Sequence, residues 1–251
     1  PSDGLVRLRW SMPNVTALRS SATSFESVAS FTGALLTMSG QGDPEHIEGE
    51  VVSSDYFRTL RVTPVAGRIF TSSEDTPSGA QPVTLIGARL WRRKFDGNPA
   101  VIGERLVVND VPMTIVGILP DGFSGLTGKS ELWISPPMAA RLTYSEYMTT
   151  RQNFISVVAR LKDGVALSQA TAELGAIGSR FIGSDSAPDT IWGATSVPLR
   201  DARVEATERQ SALLLLAAAV CVLLIGCVNV ASLLLARARV RRVTLHDHGH
   251  A

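Results

Sequence analysis

The chain has 251 residues, of which 45% are hydrophobic and 19% are charged, and its formal net charge is +1. A net charge so close to zero gives no support for wholesale nucleic-acid binding, which usually shows as a clustered basic excess, so we expect no nucleic-acid partner. Both cysteines, Cys221 and Cys227, lie in one apolar stretch near the C-terminus, which excludes a disulfide scaffold or a cysteine-based zinc site in the residues before it.

The first thirty residues carry a helical pattern. Pro13 suits the first turn of a helix, and apolar residues follow at roughly helical intervals as far as Phe31. Ser20–Ser21 interrupts this pattern. We therefore expect two helical pieces, the second of which carries Phe25 and Val28.

Short strand patterns then alternate with helical ones. Strand patterns occupy residues 31–38, 47–52, 83–86, 106–108, 111–119, 132–134, 154–161 and 190–199. Helical patterns occupy residues 88–95 and 167–182, and a short stretch that Ser54 or Asp55 would cap and Leu60 would end. Asn109–Asp110 tolerates the positive φ of a tight turn and so predicts a hairpin. The mixture predicts an α+β fold.

Residues 211–236 form an uncharged apolar stretch. As a helix, 26 residues would span roughly 39 Å, which exceeds the ~30 Å hydrocarbon core of a bilayer. The stretch therefore predicts a single C-terminal transmembrane helix in a lipid bilayer. A buried helix of a soluble core is the weaker interpretation, because such helices seldom stay uncharged for this length.

Charges on either side of this stretch predict its orientation. Four arginines follow it, at positions 237, 239, 241 and 242, whereas the charges at 201–209 nearly balance. Positively charged flanks stay in the cytoplasm, so we expect residues 1–210 to be extracytoplasmic and the C-terminus cytoplasmic.

Three residues of the predicted membrane helix, Gly226, Asn229 and Ser232, are spaced to share one side. Small residues allow a second helix to approach closely, and asparagine can bond across such an interface. The same spacing arises by chance in an alanine-rich helix, so both interpretations stay open.

Residues 125–130 end in Gly128-Lys129-Ser130 and suggest a phosphate-binding loop. Such a loop needs a glycine five residues before Gly128, where this chain has Phe123, and it must open a helix. Residues 131–134 instead have a strand pattern. We therefore favour a surface loop.

Histidines are sparse before the apolar stretch. His46 lies in an acidic, turn-like segment, 43–50, where a weak metal site is possible but a solvated strand edge is favoured. His246, His248 and His250 alternate near the C-terminus and could chelate a transition metal, although a frayed terminus is favoured. We assign no catalytic, cofactor or metal site.

Several segments in order resemble a known family. They are residues 52–60, 62–64, 67–70, 90–95, 98–103, 116–123 and 161–165. Together with the following apolar helix, they resemble the periplasmic core domain of MacB-like ABC transporter permeases, which are related to the FtsX and lipoprotein-release permeases. The resemblance covers nearly all of residues 10–242.

This resemblance implies a two-lobed extracytoplasmic domain. A porter-like lobe would comprise residues 1–64 and 151–205, and an inserted Sabre-like lobe residues 65–150. A transmembrane helix with its basic flank, 206–242, and a tail, 243–251, would follow.

Structural roles are expected for the residues of these motifs. Glycines would serve backbone turns, Pro64 a strand boundary, and the aromatic residues the core. The motif residues are Tyr56, Phe57, Pro64, Gly67, Arg68, Trp91, Phe95, Gly103, Gly117, Pro120 and Phe123.

The resemblance also implies a function without catalysis in this domain. A cytoplasmic ATP-binding subunit would hydrolyse ATP, and the permease, with a second permease copy, would pass that motion across a bacterial inner membrane to drive efflux or mechanical work outside. Family members carry further membrane helices at both ends, so we expect a fragment, a truncated product or a frame-disrupted gene. The alternative is a membrane-anchored binding or sensory module without transport activity.

Overall fold

One mixed sheet organises the domain that contains the resembling segments. In the computed structural model, the described residues are 9–40, 43–181, 220, 221, 223, 224 and 227. The chain divides into two units, Pro1–Ser196 and Val197–Ala251. Within residues 9–181 as described, eight strands belong to this sheet.

Strands and helices alternate along the first unit. The strands are β1 Phe25–Ser39, β2 Glu45–Val52, β3 Ala66–Gly67, β4 Val83–Gly87, β5 Arg105–Val108, β6 Val111–Leu119, β7 Leu132–Ile134 and β8 Ser156–Leu161. The helices are α1 Met12–Ser21, α2 Tyr56–Leu60, α3 Ala88–Phe95, α4 Pro136–Leu142 and α5 Leu167–Phe181. Short 3-10 helices occur at Ser72–Asp75, Pro77–Gly79 and Pro99–Val101.

The sheet closes into a circuit through its first strand. The strand order is β2-β7-β4-β6-β5-β1-β8, and β1 also pairs with β2, while β3 pairs with β6. The β2–β7 and β4–β6 pairs are parallel, and the others are antiparallel. A circuit of this kind covers strand edges that would otherwise offer unpaired backbone groups.

The strand β1 overturns one sequence expectation. Residues Phe25, Val28 and Phe31 lie in an extended strand, so the predicted second helical piece is wrong. Val28 pairs with Ala159 of β8 in an antiparallel ladder. A spacing of three residues fits a helix, but a long-range pairing partner decided the outcome.

Other element predictions are confirmed. Helix α3 has the predicted bounds, and Asn109 and Asp110 form the β5–β6 turn with φ values of 44° and 64°. Helix α1 ends at Ser21, and α2 ends at Leu60 as expected. Asp55 occupies the cap position of α2 but makes no side-chain cap bond.

Three groups of buried apolar side chains fill the domain. The largest lies among β1, β2, β6, α3 and α4 and includes Leu36, Ile47, Leu90, Ile115 and Met138. A second, which we call the aromatic cluster, comprises Tyr56, Phe57, Phe70 and Trp133 with the partly buried Phe123 and Leu126. The third joins α1, β1 and α5 through Leu18, Val28, Leu174 and Ile177.

The described residues cover only part of the predicted lobes and of the predicted membrane helix. Strands from both predicted segments, 1–64 with 151–205 and 65–150, share the one sheet, and the division into lobes stays a prediction. Most of the predicted membrane stretch 211–236 lies outside the described residues, as do the expected strand 190–199 and the tail 243–251. Among the described residues, no helix has both the length and the apolar character needed to cross a membrane.

Two glycines let β3 approach β6 closely. Gly67 lies directly opposite Gly117 in this pair. A Cβ atom at Gly117 would lie 2.3 Å from the backbone oxygen of Arg68, and one at Gly67 would lie 2.2 Å from that of Val116. Backbone cannot withdraw as a flexible side chain could, so only glycine fits at both positions.

Replacing Gly117 with alanine should therefore lower the free energy of unfolding by about 1–3 kcal/mol, the usual result of forcing atoms into a packed interior. Urea unfolding of the 251-residue chain in detergent measures this change. Gly175→Ala is the control, because its Cβ would meet nothing within 4 Å and α5 should gain up to about 1 kcal/mol from alanine. Equal effects of the two substitutions would contradict the close approach.

Candidate functional site

The candidate site is the place where the early and late segments of the domain are joined. We call it the terminal clamp, and it comprises Trp10, Thr23, Ser24, Ile155 and Glu173. The amide of Trp10 donates to the Ile155 oxygen at 2.7 Å, and the amide of Ile155 donates back to the Trp10 oxygen at 2.9 Å. This reciprocal pair ties the segment before α1 to the segment before β8.

Glu173 of α5 holds the link between α1 and β1. Its Oε1 accepts hydrogen bonds from the amide and hydroxyl of Thr23 at 2.6 and 2.7 Å, and its Oε2 accepts from the amide of Ser24 at 2.9 Å. Burial is the largest single influence and acts to raise the pKa, but the hydrogen bonds from Ser24 and Thr23 together outweigh it and lower the pKa of Glu173 to about 2. The carboxylate therefore stays ionised and keeps α5 attached.

An apolar layer reinforces this attachment. Leu18 of α1, Val28 of β1, and Leu174 and Ile177 of α5 are all buried and in contact. Burying each such side chain stabilises the folded domain by roughly 1.5–3 kcal/mol. Helix α5 is therefore joined to α1 and β1 both by polar bonds and by apolar packing.

Arg19 extends the connection from α1 into the middle of the domain. Its guanidinium donates to Asp55 at the start of α2 and, at 3.2 Å, to Oδ2 of Asp75. Asp75 also accepts from the amide of Ser54 at 2.9 Å and from the Ser54 hydroxyl at 2.8 Å. Burial raises the pKa of Asp75 in spite of these bonds. A displacement of α1 would therefore act directly on α2 and on the 72–75 turn.

Three of the motif residues, Tyr56, Phe57 and Phe123, meet in the aromatic cluster. The rings of Tyr56 and Phe57 have centroids 5.3 Å apart, those of Phe57 and Phe123 are 6.2 Å apart, and Phe123 stacks on Trp133 at 5.6 Å. Edge-on and stacked contacts of this kind add about 0.5–1.5 kcal/mol each to the burial of the rings.

The other aromatic motif residues lie apart from this cluster, on α3. Phe95 is 9% exposed and belongs to the largest core group. Trp91 is half-buried, and its indole Nε1 donates to the Asn98 oxygen at 2.8 Å. This bond holds the turn that follows α3.

The remaining motif residues lie around β3 and β6. Pro64 precedes β3, and Arg68 follows it with two bonds to the buried Glu74, at 2.8 and 3.0 Å. The amide of Gly103 donates to the Ile115 oxygen of β6 at 2.8 Å. Pro120 ends β6 and lines, with Phe123, a pocket of about 210 Å³. Gly226, Asn229 and Ser232 lie outside the described residues.

Glu50 was missed as a site residue. The sequence placed it in a solvated acidic segment with His46, but the structure buries Glu50 completely while His46 stays exposed beside Thr37. Glu50 lies opposite Trp133 in the β2–β7 pair. The apolar pair Val51–Val52 directly after Glu50 is the one local sign that this carboxylate is buried. The residues that bind the carboxylate are remote in sequence, so they could not be predicted.

Glu173, Arg19 and Asp75 were also missed. Each occupies an ordinary polar position in its local pattern, and each gains its role from a residue at least 50 positions away. No group of histidine, cysteine and acidic side chains that could hold a metal ion is found among residues 9–181 as far as they are described.

Comparison with known proteins places this geometry in a family. The MacB-like periplasmic core domain matches residues 4–177, well over half of the chain. The chain belongs to this family. The MacB-like periplasmic core domain is an extracytoplasmic, non-catalytic module of membrane permeases, so the residues that form the terminal clamp and the aromatic cluster are parts of such a module.

Relatives with a MacB-like domain are larger proteins. The macrolide export ATP-binding/permease protein MacB of Chromobacterium violaceum is 28% identical over 185 residues, which cover 73% of this chain and 27% of that protein. The protein of the same name from Hahella chejuensis is 29% identical over 126 residues, which cover 50% of this chain and 18% of that protein. The chain thus corresponds to about a quarter or less of the length of these relatives.

Solved structures share the fold. The periplasmic region of MacB from Actinobacillus actinomycetemcomitans has a TM-score of 0.55 at 12% identity, over 69% of this chain and 73% of that chain. The extracellular domain of the noncanonic ABC-type transporter YknZ from Gram-positive bacteria has a TM-score of 0.55 at 15% identity, over 74% of this chain and 92% of that chain.

Glu173→Gln tests the terminal clamp of this MacB-like domain. The substitution replaces one acceptor oxygen by an amide, so it should lower the free energy of unfolding at pH 7 by about 1 kcal/mol, after allowance for screening by solvent. The pKa of Glu173 is lower in the fold than its ordinary value of 4.5, so the stabilisation is present above pH 4.5 and is lost as the pH falls through about 2.

Urea unfolding between pH 2 and pH 7 measures this difference between the native chain and the variant. Glu26→Gln, at an exposed position of β1, is the control and should change stability by less than about 0.5 kcal/mol. A Glu173→Gln chain as stable as the native one at pH 7 would show that the carboxylate does not hold the clamp.

Proposed function

We propose that the chain acts as part of a permease subunit of an ABC transporter. Its outer domain would receive motion driven by a cytoplasmic ATP-binding subunit and pass it to work, such as efflux, outside the inner membrane. The observation that carries this proposal is the membership of residues 4–177 in the MacB-like periplasmic core domain family.

The terminal clamp supports a mechanical role. Its early and late segments are joined by backbone bonds at Trp10 and Ile155 and by the Glu173 carboxylate. Segments joined in this way move together, so a displacement delivered through either one would reach β1 and the rest of the sheet.

The apolar stretch 211–236 supports a membrane anchor. It carries no charge and precedes four arginines, which favour the cytoplasmic side. The described residues Val220, Leu223 and Leu224 in this stretch are helical and expose their apolar side chains. Lipid would cover such side chains favourably.

The names of the matching relatives support the choice of partners in this proposal. The relatives are named as ATP-binding and permease proteins, and this chain corresponds to 27% of the Chromobacterium violaceum protein. We infer that a cytoplasmic ATP-binding subunit supplies the energy. A second permease copy would pack against the side that carries Gly226, Asn229 and Ser232, because small and amide-bearing residues favour helix contacts in lipid.

Cysteine labelling should show the proposed orientation. In a chain with Cys221→Ser and Cys227→Ser, Ser78→Cys places a thiol at an exposed position of the domain, and Arg239→Cys places one after the apolar stretch. A membrane-impermeant maleimide applied to intact spheroplasts should label position 78 only. Position 239 should react after permeabilisation.

Labelling in detergent is the control for this experiment, since both thiols should react there. Labelling of position 239 in intact spheroplasts, or of position 78 only after permeabilisation, would contradict the proposed orientation.

Co-expression with an ATP-binding subunit of the MacB type should yield a complex. Purified in detergent, the complex should contain two copies of this chain and hydrolyse ATP faster than the ATP-binding subunit alone. Mass measurement by light scattering and an ATPase assay report these two properties. A monomeric chain that binds no ATPase would instead favour a membrane-anchored binding or sensory module.

A further inference from the structure

Glu50 is a buried carboxylate surrounded by neutral donors. Its Oε2 accepts from the Tyr56 hydroxyl at 2.8 Å and from the Trp133 indole at 2.9 Å, and its Oε1 accepts from the Thr127 amide at 2.7 Å. These donors come from α2, from β7 and from the loop after β6. Since Glu50 is fully buried, that loop is what separates its carboxylate from solvent on this side.

The loop after β6 is held together by its own hydrogen bonds. We call residues 121–130 the lid. Its amide bonds from Gly128 to the Gly125 oxygen and from Ser130 to the Ser124 oxygen, and its contact between the Thr127 and Ser130 hydroxyls, are internal. Bonds within the lid survive its displacement, so the lid can shift as one body.

Few polar bonds join the middle of the lid to the rest of the domain. The amide of Leu126 donates to the Tyr56 hydroxyl at 2.8 Å, the amide of Thr127 donates to Glu50, and the exposed Lys129 forms an ion pair with Glu48. Exposed ion pairs contribute little. At the start of the lid, Asp121 also pairs with Arg92 of α3, but both side chains are exposed. Glu50 and Tyr56 are therefore the main buried polar attachment of the lid.

We propose that the lid opens and closes over Glu50, and that negative charge on Glu50 favours the open state. A carboxylate in a dry site that faces no cation is costly, and opening would let water reach it. Closing over a neutral carboxyl carries no such cost. Opening would also uncover the Trp133 face on which Phe123 stacks.

The groups that face Glu50 are consistent with an open state favoured by negative charge on Glu50. From the elements packed against it, α2 brings the Tyr56 hydroxyl, β7 the indole of Trp133, and β1 the uncharged Gly33. Charged side chains of the adjoining segments are paired with one another: Glu48 with Lys129, Glu131 with arginines of α3, and Asp121 of the lid with Arg92.

The linkage fixes the sign of the pH dependence. Burial raises the pKa of Glu50, and the bonds from Thr127, Tyr56 and Trp133 offset this only in part. The closed state therefore holds the proton more tightly than the open state. Opening should increase as the pH rises, by at most about tenfold per pH unit because one proton is released. This inference does not depend on the proposed transport function.

Hydrogen exchange tests the charge dependence. In the 251-residue chain in detergent, the amides of Leu126 and Thr127 report opening when their exchange rates are divided by those of an unstructured peptide of the same sequence. Between pH 4.5 and 8 we expect this ratio to rise in the native chain and to stay constant in Glu50→Gln. A ratio that does not change with pH in the native chain, or that changes equally in both, would overturn the proposal.

A pair of glycine variants tests the closure without altering Glu50. Gly125 and Gly128 have similar φ values, 72° and 80°, so alanine strains both turns alike. A Cβ at Gly125 would lie 2.1 Å from the Glu50 Oε2, whereas one at Gly128 would meet nothing within 4 Å. Gly125→Ala should therefore raise the exchange of Leu126 and Thr127 at least about tenfold over Gly128→Ala. Equal exchange in the two variants would overturn the proposal that the lid closes over Glu50.

Discussion

The long strand β1 is the element on which the rest of the domain depends. It pairs with β8 over its first half, with β2 over its second half and with β5 at its end. Fifteen residues of strand extend roughly 50 Å at about 3.3 Å per residue, so β1 runs from the terminal clamp to the β5 end of the sheet. Because backbone ladders resist stretching along the strand, a displacement at the clamp is carried to the far side of the sheet without passing through a loop.

Local chemistry accounts for the elements that the sequence predicts correctly. The β5–β6 turn needs only the tolerance of Asn109 and Asp110 for positive φ, and α3 needs only the four-residue spacing of Trp91 and Phe95. The start of β1 differs, because Phe25 and Val28 fit a helical spacing equally well. Its conformation is decided by β8, which lies more than 120 residues later in the chain. A pattern within one segment carries no information about such a partner.

The same limit explains why the buried and clamping carboxylates were missed. Glu50 and Glu173 each accept three hydrogen bonds from described residues, yet burial raises the pKa of Glu50, while the bonds to Ser24 and Thr23 lower that of Glu173. At the fully buried Glu50, desolvation exceeds the combined effect of the hydrogen bonds, whereas at the partly exposed Glu173 the hydrogen bonds together exceed desolvation. Exposure of a side chain is a property of the assembled fold, so the two glutamates look alike in the sequence and act differently in the domain.

These two carboxylates also lie in parts of the domain that differ in how strongly they are held together. Glu173 stays charged throughout the physiological pH range and acts together with the apolar contacts of Leu18 and Ile177. Opening the terminal clamp would therefore break both hydrogen bonds to a charged group and apolar contacts. Water would stabilise a charge on Glu50 better than the closed lid does, so the proposed opening of the lid follows from the ionisation of Glu50. The proposed function, transmission of motion, requires a stiff path for displacement and a surface that responds to it. Strand β1 links the two, since its first residues follow the clamp and its Gly33 lies opposite Glu50.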